Sequence, residues 1–226
     1  MKFYLANESE SEQFEKIKLW IRKHMDGSVS SKMKENGLNY PINYGVSIVN
    51  LRQYANQLEL SPSLVLRLWN ANIRECMILA TFLFNPDLSA EEIRQLSDRI
   101  TNIELAEQFA FNFGYKINQA TVVFQDWLIS PQEFMQVAGM LSVAIALQRG
   151  VNVDEVPLME LYKTATKVKL HSFSMQRAIT RLLVNILKVP TFRNEITKLV
   201  DAWSISDNEH NKAVAREILI ELEYSK

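Results

Sequence analysis

Chemical signals for the start of an α-helix recur along this chain, and they constrain its fold more than any other feature. In each, a serine or threonine hydroxyl that accepts from the first backbone N–H groups is followed by proline at the first helical position or glutamate at the third. The signals are Ser61-Pro62, Ser89-x-x-Glu92, Thr101-x-x-Glu104, Ser130-Pro131-x-Glu133 and Ser206-x-x-Glu209. Gly114 and Gly150 stand where helices of about twelve and about eighteen residues would need a left-handed C-terminal residue.

The apolar residues between these signals recur with the helical period of 3.6. In the stretch from Phe192 to Trp203 they fall at steps of 4, 7, 8 and 11, which places them on one helix face. Strict alternation typical of a strand is confined to the brief segment 44–49. Helices are predicted near residues 11–25, 46–58, 62–71, 72–84, 90–100, 102–113, 117–129, 131–149, 154–168, 173–188, 191–203 and 207–224.

Short helices joined by short turns predict an all-α fold, namely an α-solenoid of antiparallel helical pairs in which each pair packs on its neighbours. A single irregular helical bundle is the alternative. No linker is apparent after about residue 45, so residues 1–226 are expected to form one helical-repeat domain. Within it, residues 1–45 are read as an N-terminal helix followed by a loop-rich lead-in, with the loop at 26–44.

Composition excludes several classes of function. The six glycines never cluster, and neither glycine-rich phosphate-binding motif occurs. A single cysteine, Cys76, and three dispersed histidines give no spacing for a metal site, so no metal and no cofactor are expected. The N-terminus lacks the apolar core of a signal peptide, and no apolar stretch is long enough to span a membrane. We therefore expect a cytoplasmic protein.

Charge is distributed unevenly, although the net charge is only −1. Residues 161–194 contain seven basic side chains and no acidic one, so this stretch carries +7 and the remainder carries −8. Phosphate binding and an ordinary solvated face are both compatible with this pattern. Spacing places several of the cations on shared helix faces, and we predict that they contact nucleic acid. They are Lys163, Lys167, Arg177, Arg181 and Lys188.

Several motifs resemble the DNA alkylation repair family, whose members are alkylpurine DNA glycosylases built from HEAT-like helical repeats. They are Leu68-Trp69-x4-Arg74-Glu75-x3-Leu79-Ala80-x4-Asn85-Pro86, Tyr44-Gly45-Val46-Ser47-Ile48-x2-Leu51-Arg52-x2-Ala55, and the segments 99–102, 134–141 and 176–179. Segment 25–40 is similar to a subgroup found in Bacteroidetes-type bacteria. The resemblance implies a C-shaped solenoid whose concave basic face binds duplex DNA. It also implies, for active members, a carboxylate that stabilises an oxocarbenium-like transition state beside tryptophans.

The sequence departs from the family at the residues that this chemistry requires. Ile103 and Arg181 stand where the family has tryptophan, and Val137 stands where it has arginine. Glu107 replaces the catalytic aspartate with a longer side chain, and Glu104 is expected to serve as the capping-box partner of Thr101. The principal hypothesis is a DNA-binding protein without the usual base-excision residues. The alternatives are a divergent alkylpurine glycosylase that uses Glu107 and a scaffold that binds a protein partner.

Overall fold

A computed structural model describes residues 8–118 and 120–224. Within them the chain forms α-helices joined by short turns, with a single isolated parallel bridge between Ile42 and Ile73. The helices are α1 Glu8–Lys23, α2 Gly27–Glu35, α3 Ile48–Ala55, α4 Pro62–Trp69, α5 Arg74–Leu83, α6 Ala90–Ser97, α7 Ile103–Asn112, α8 Ala120–Leu128, α9 Glu133–Gln148, α10 Glu155–Ala165, α11 Phe173–Ile186, α12 Arg193–Ser204 and α13 Glu209–Tyr224. Short 3₁₀ turns occupy Gly114–Lys116 and Pro190–Phe192.

The helices stack in two layers, which is the arrangement of a solenoid. In the first layer each odd-numbered helix from α3 to α13 packs against the next odd-numbered helix. In the second layer α6 packs on α8 and α8 packs on α10, while α4–α5, α8–α9 and α12–α13 pack across the layers. Because contacts follow chain order, the predicted all-α solenoid is confirmed and the irregular bundle is not observed.

Each predicted helix is present with its ends shifted by up to three residues, in most cases inwards, but the predicted loop at 26–44 is wrong. It contains α2, which begins after Asp26, whose side chain accepts a hydrogen bond from the Val29 backbone N–H at 3.0 Å. No residue of α2 is buried. Since apolar periodicity records burial, an unburied helix leaves no such pattern in the sequence.

Two of the predicted helix starts are confirmed in detail. Ser61 caps α4 with Pro62 at the first helical position. Ser89 and Glu92 form a complete capping box at the start of α6.

The other three starts need correction. Asn102, rather than Thr101, caps α7, and its Oδ1 accepts from Leu105 N at 2.9 Å. Helix α9 begins at Glu133, because Gln136 Nε2 donates to the carbonyl of Ser130 and holds the preceding turn outside the helix. Helix α13 begins after Asn208, whose side chain accepts from the His210 backbone N–H.

The two glycines predicted to end helices differ from each other. Gly150 has a φ of 69° and ends α9 in a Schellman motif, with Val151 N donating to Ala146 O. Gly114 does not have a positive φ, so its predicted role as a left-handed cap is wrong. A Cβ at this position would lie 2.1 Å from Ser142 Oγ, and glycine therefore permits the close approach of the turn after α7 to α9.

A buried ionic cluster joins the lead-in segment to α5 and α7. The fully buried Arg74 donates to both carboxylate oxygens of Glu104, at 2.8 and 2.6 Å, and to Glu75 at 3.0 Å. Glu75 also accepts from the backbone N–H groups of Tyr44 and Val46. Glu104 is therefore an ion-pair partner of Arg74 and not the capping residue that the sequence predicts.

Residues 8–118 and 120–224 contain no helix that is both long and apolar enough to cross a membrane. Cys76 is fully buried in α5, and burial raises the pKa of its thiol to about 12. The predicted interpretation of Cys76 as a small buried hydrophobic residue is therefore confirmed.

Candidate nucleic-acid interface

An open cavity of about 250 Å³ lies on the first layer, where α7, α9 and α11 meet. We call it the α7–α9–α11 cavity. It is lined by Ile103, Glu107, Phe111, Val137, Leu141, Phe173, Ser174, Arg177, Ala178 and Arg181. The cavity thus combines apolar side chains with one carboxylate and two guanidinium groups.

Glu107 is the acidic group of this cavity and lies half-buried on α7. Burial raises the pKa of its carboxyl, Arg177 and Arg181 oppose this effect, and Glu104 adds to it. Within the described residues its carboxylate makes no hydrogen bond and no ion pair within 4 Å. Its oxygens are therefore free to accept hydrogen bonds from a ligand.

The two arginines follow one another on one face of α11, four residues apart. Arg181 is held in place, since its Nη2 donates to Gln148 Oε1 at 2.7 Å and its guanidinium lies 4.9 Å from the centre of the Phe111 ring. Arg177 is exposed, and its guanidinium lies 5.9 Å from the Phe173 ring centre. Both can reach a phosphate or a nucleobase in front of the cavity.

The positive surface continues beyond α11 to residues that sequence reasoning missed. The Arg149 guanidinium lies over the Tyr115 ring at 3.9 Å, and Lys116 Nζ lies 5.5 Å from the same ring. Arg149 directly follows Gln148, the partner of Arg181. Arg149 and Lys116 lie outside the basic stretch 161–194. They come together because the turn after α7 packs against α9.

The predicted lysines lie away from the residues that line the cavity. Lys163 is on α10 in the second layer and pairs with Glu160 at 3.1 Å, and Lys167 is exposed just after that helix. Lys188 follows α11 and donates to Asn185 Oδ1 at 3.0 Å. The structure therefore brings together Glu107, Arg177 and Arg181 but not these lysines, whose contact with DNA stays a prediction.

The part of the chain that the structure describes contains no group of three or more histidine, cysteine, aspartate or glutamate side chains arranged to hold a metal ion.

Comparison with known proteins identifies the family. The model of the DNA alkylation repair enzyme family matches residues 17–188. The chain belongs to this family. No curated protein matches the sequence.

Among solved structures, the chain is similar to a protein described as one of "a new family of proteins related to the HEAT-like repeat DNA glycosylases with affinity for branched DNA structures". The TM-score is 0.69 at 15% sequence identity, and the match covers 91% of this chain and 93% of the other. The likeness establishes that the chain has a HEAT-like repeat fold.

The four positions that the sequence predicts to differ from the DNA alkylation repair family lie in one place. Ile103, Glu107, Val137 and Arg181 all line the α7–α9–α11 cavity. Val137 is fully buried in the first half of α9, and its apolar side chain offers no hydrogen-bond donor to a phosphate. The predicted differences thus fall on a single site, to which α7, α9 and α11 contribute.

Proposed function

We propose that this member of the DNA alkylation repair family binds DNA through the α7–α9–α11 cavity and the adjoining cations, without the family's base-excision chemistry. One observation carries the proposal, namely that the four positions predicted to differ from the family, Arg181 among them, all line this cavity together with Arg177. Isoleucine at 103 offers no π face to a cationic base. The site keeps cations that can bind a polyanion, and it lacks the two tryptophans that the family resemblance implies at positions 103 and 181.

Branched DNA is the form of DNA that we propose as ligand. The structurally similar protein is described as having affinity for branched DNA structures. In this chain Arg177 and Arg181 lie on α11, Arg149 directly follows α9, and Lys116 lies in the 3₁₀ turn after α7. Such a distribution is suited to contacts with more than one DNA arm.

Salt dependence of DNA binding tests this proposal. The dissociation constants of a four-way junction and of a linear duplex are measured by fluorescence anisotropy over a series of salt concentrations. We expect Arg177→Gln and Arg181→Gln each to reduce the slope of log K against log[salt] by about 0.9, the contribution of one phosphate contact.

Lys198→Gln is the matched control, since Lys198 is 74% exposed on α12 and pairs with Glu195 away from the cavity. Its slope should equal that of the wild type. Undetectable binding to both DNA forms at low ionic strength would refute the proposal and favour a protein-binding scaffold.

A divergent glycosylase is the second candidate, favoured by the free, half-buried carboxylate of Glu107. A carboxylate in such a site can stabilise a cationic sugar electrostatically. Release of 3- or 7-alkylated purines from methylated DNA, abolished by Glu107→Gln, would support this activity. Absence of release from the wild-type protein would exclude it.

A further inference from the structure

We propose that the α7–α9–α11 cavity binds one unpaired guanine base of the DNA that the protein holds, with Glu107 accepting from the Watson–Crick edge. The inference rests on the proposed DNA-binding function and adds to it a base-specific site. Three features of the cavity support it, namely its apolar lining, its aromatic edge and the free hydrogen-bonding groups inside it.

The lining of the cavity suits a flat aromatic ring. Val137 and Leu141 of α9 are buried at its base, and Ile103 and Phe111 of α7 flank them. The faces of a nucleobase are apolar and stack on such side chains without regard to sequence. An unstacked base therefore finds here a surface that replaces its lost stacking partners.

Phe173 extends this surface outwards. It is the first residue of α11, it lines the cavity, and it is 65% exposed. Because the ring is exposed at the edge of the cavity, it is accessible to an aromatic ligand. A base that enters the cavity would be placed against this ring.

Glu107 gives the site its preference among the bases. An ionised carboxylate is an acceptor with two oxygens, and it can accept two parallel N–H groups. Guanine presents two adjacent donors on one edge, N1–H and N2–H, whereas adenine and cytosine each present one amino group and thymine presents only N3–H. Because pairing occupies this edge in a duplex, the guanine must be unpaired.

The arginines complement this orientation. Arg177 has a guanidinium that makes no hydrogen bond or ion pair within the described residues, and guanine O6 and N7 are the acceptors that arginine contacts most often. A phosphate inside the cavity would instead lie beside the Glu107 carboxylate and be repelled by it. We therefore place the base in the cavity and the backbone phosphates along Arg181 and Arg149. In the junction and the paired duplex no base occupies the cavity, and Arg177 is then free to contact a phosphate.

Fluorescence anisotropy with bulged duplexes tests the inference. Four duplexes carry a single unpaired guanine, adenine, cytosine or thymine at one position, and a fully paired duplex serves as reference. We expect the guanine bulge to bind about tenfold more tightly than the other three, as one bidentate base contact provides.

Substitutions separate base recognition from folding and general affinity. Glu107→Gln should abolish the guanine preference, measured as the ratio of affinities of the same protein for the guanine and thymine bulges, because the amide has only one acceptor oxygen. Phe173→Ala should weaken binding of all four bulges alike. Glu91→Gln, an exposed acidic residue on α6, is the control and should leave the preference unchanged.

A second measurement needs only the wild-type protein. Kethoxal modifies guanine at N1 and N2, so the bulged guanine should be protected when the complex forms. Equal affinity for the four bulges, or an unprotected guanine in the complex, would overturn the inference and leave the proposed DNA binding intact. Failure to bind any of the duplexes or junctions would overturn both.

Discussion

Replacement of Arg74 by methionine tests the energetics of the buried ionic cluster. The guanidinium makes four hydrogen bonds, two to Glu104, one to Glu75 and one to the carbonyl of Val46 at 2.8 Å. Burial lowers the pKa of Arg74, but the two carboxylates more than offset this effect and the net pKa is raised. The arginine is therefore charged, and its removal leaves two carboxylates with no cation.

The expected loss follows from what remains after the substitution. Methionine keeps most of the apolar stem, so the change is chiefly electrostatic. Removal of one partner from a buried ion pair destabilises a protein by about 3–5 kcal/mol. With a urea m-value of roughly 3 kcal/mol/M for a chain of this size, the unfolding midpoint should fall by about 1–2 M.

Urea denaturation followed by circular dichroism measures the shift. Arg94→Met is the matched control, because Arg94 is 51% exposed and its pairs with Glu91 and Asp126 are also exposed. Its effect should stay below about 1 kcal/mol. Adding Glu104→Gln to Arg74→Met should restore part of the loss, since it neutralises a stranded carboxylate. A loss for Arg74→Met no larger than that of the control would refute this reasoning.

Two further predictions concern the turn after α7 and the cavity. Gly114→Ala should destabilise the protein by about 1–3 kcal/mol, because its Cβ would clash with Ser142 Oγ. Gly27→Ala is the control and should not destabilise it, since no atom lies within 4 Å of a Cβ there. Thermal melts compare the two variants, and equal effects would contradict the steric explanation. Glu107→Gln should stabilise the protein at neutral pH, because the raised pKa of Glu107 means that its ionised form is disfavoured in the folded state. This gain in stability over the wild type should disappear below the ordinary glutamate pKa of about 4.3. Urea titrations at several pH values measure it. A gain that grows on acidification would show that the pKa of Glu107 is lowered in the folded state.

Local chemistry in the sequence was sufficient to predict every helix except α2, but it did not predict which residues contact one another. The Ser89–Glu92 capping box involves neighbours in the chain, so its outcome is decided locally. Glu104 satisfies the same motif with Thr101, yet its carboxylate binds Arg74, thirty residues earlier. A buried guanidinium competes more strongly for a carboxylate than an exposed backbone N–H does, and the sequence does not reveal that burial.

The candidate site shows the same limit. The spacing of Arg177 and Arg181 alone places them on one face of a helix. Glu107 was predicted from the resemblance to the DNA alkylation repair family. The structure adds that these residues line one cavity. The sequence did not predict the contact of Arg149 with Tyr115, because that contact depends on how the turn after α7 packs on α9. Such tertiary packing produces no periodic pattern in the sequence.

The contact between Tyr40 and Glu104 affects how the solenoid unfolds. The Tyr40 hydroxyl donates to Glu104 Oε2 at 2.9 Å across 64 positions of the chain, in a fold whose helices otherwise contact near neighbours in chain order. Repeat arrays tend to lose structure from an end, one unit at a time. With Arg74 and Glu104, we expect this contact to make the first half of the chain unfold as one unit, and α12 and α13 to lose structure first. The α7–α9–α11 cavity is built partly on α7, which carries Glu104, and partly on α11, which packs on α13. Its two sides therefore belong to parts of the fold that we expect to unfold at different stages.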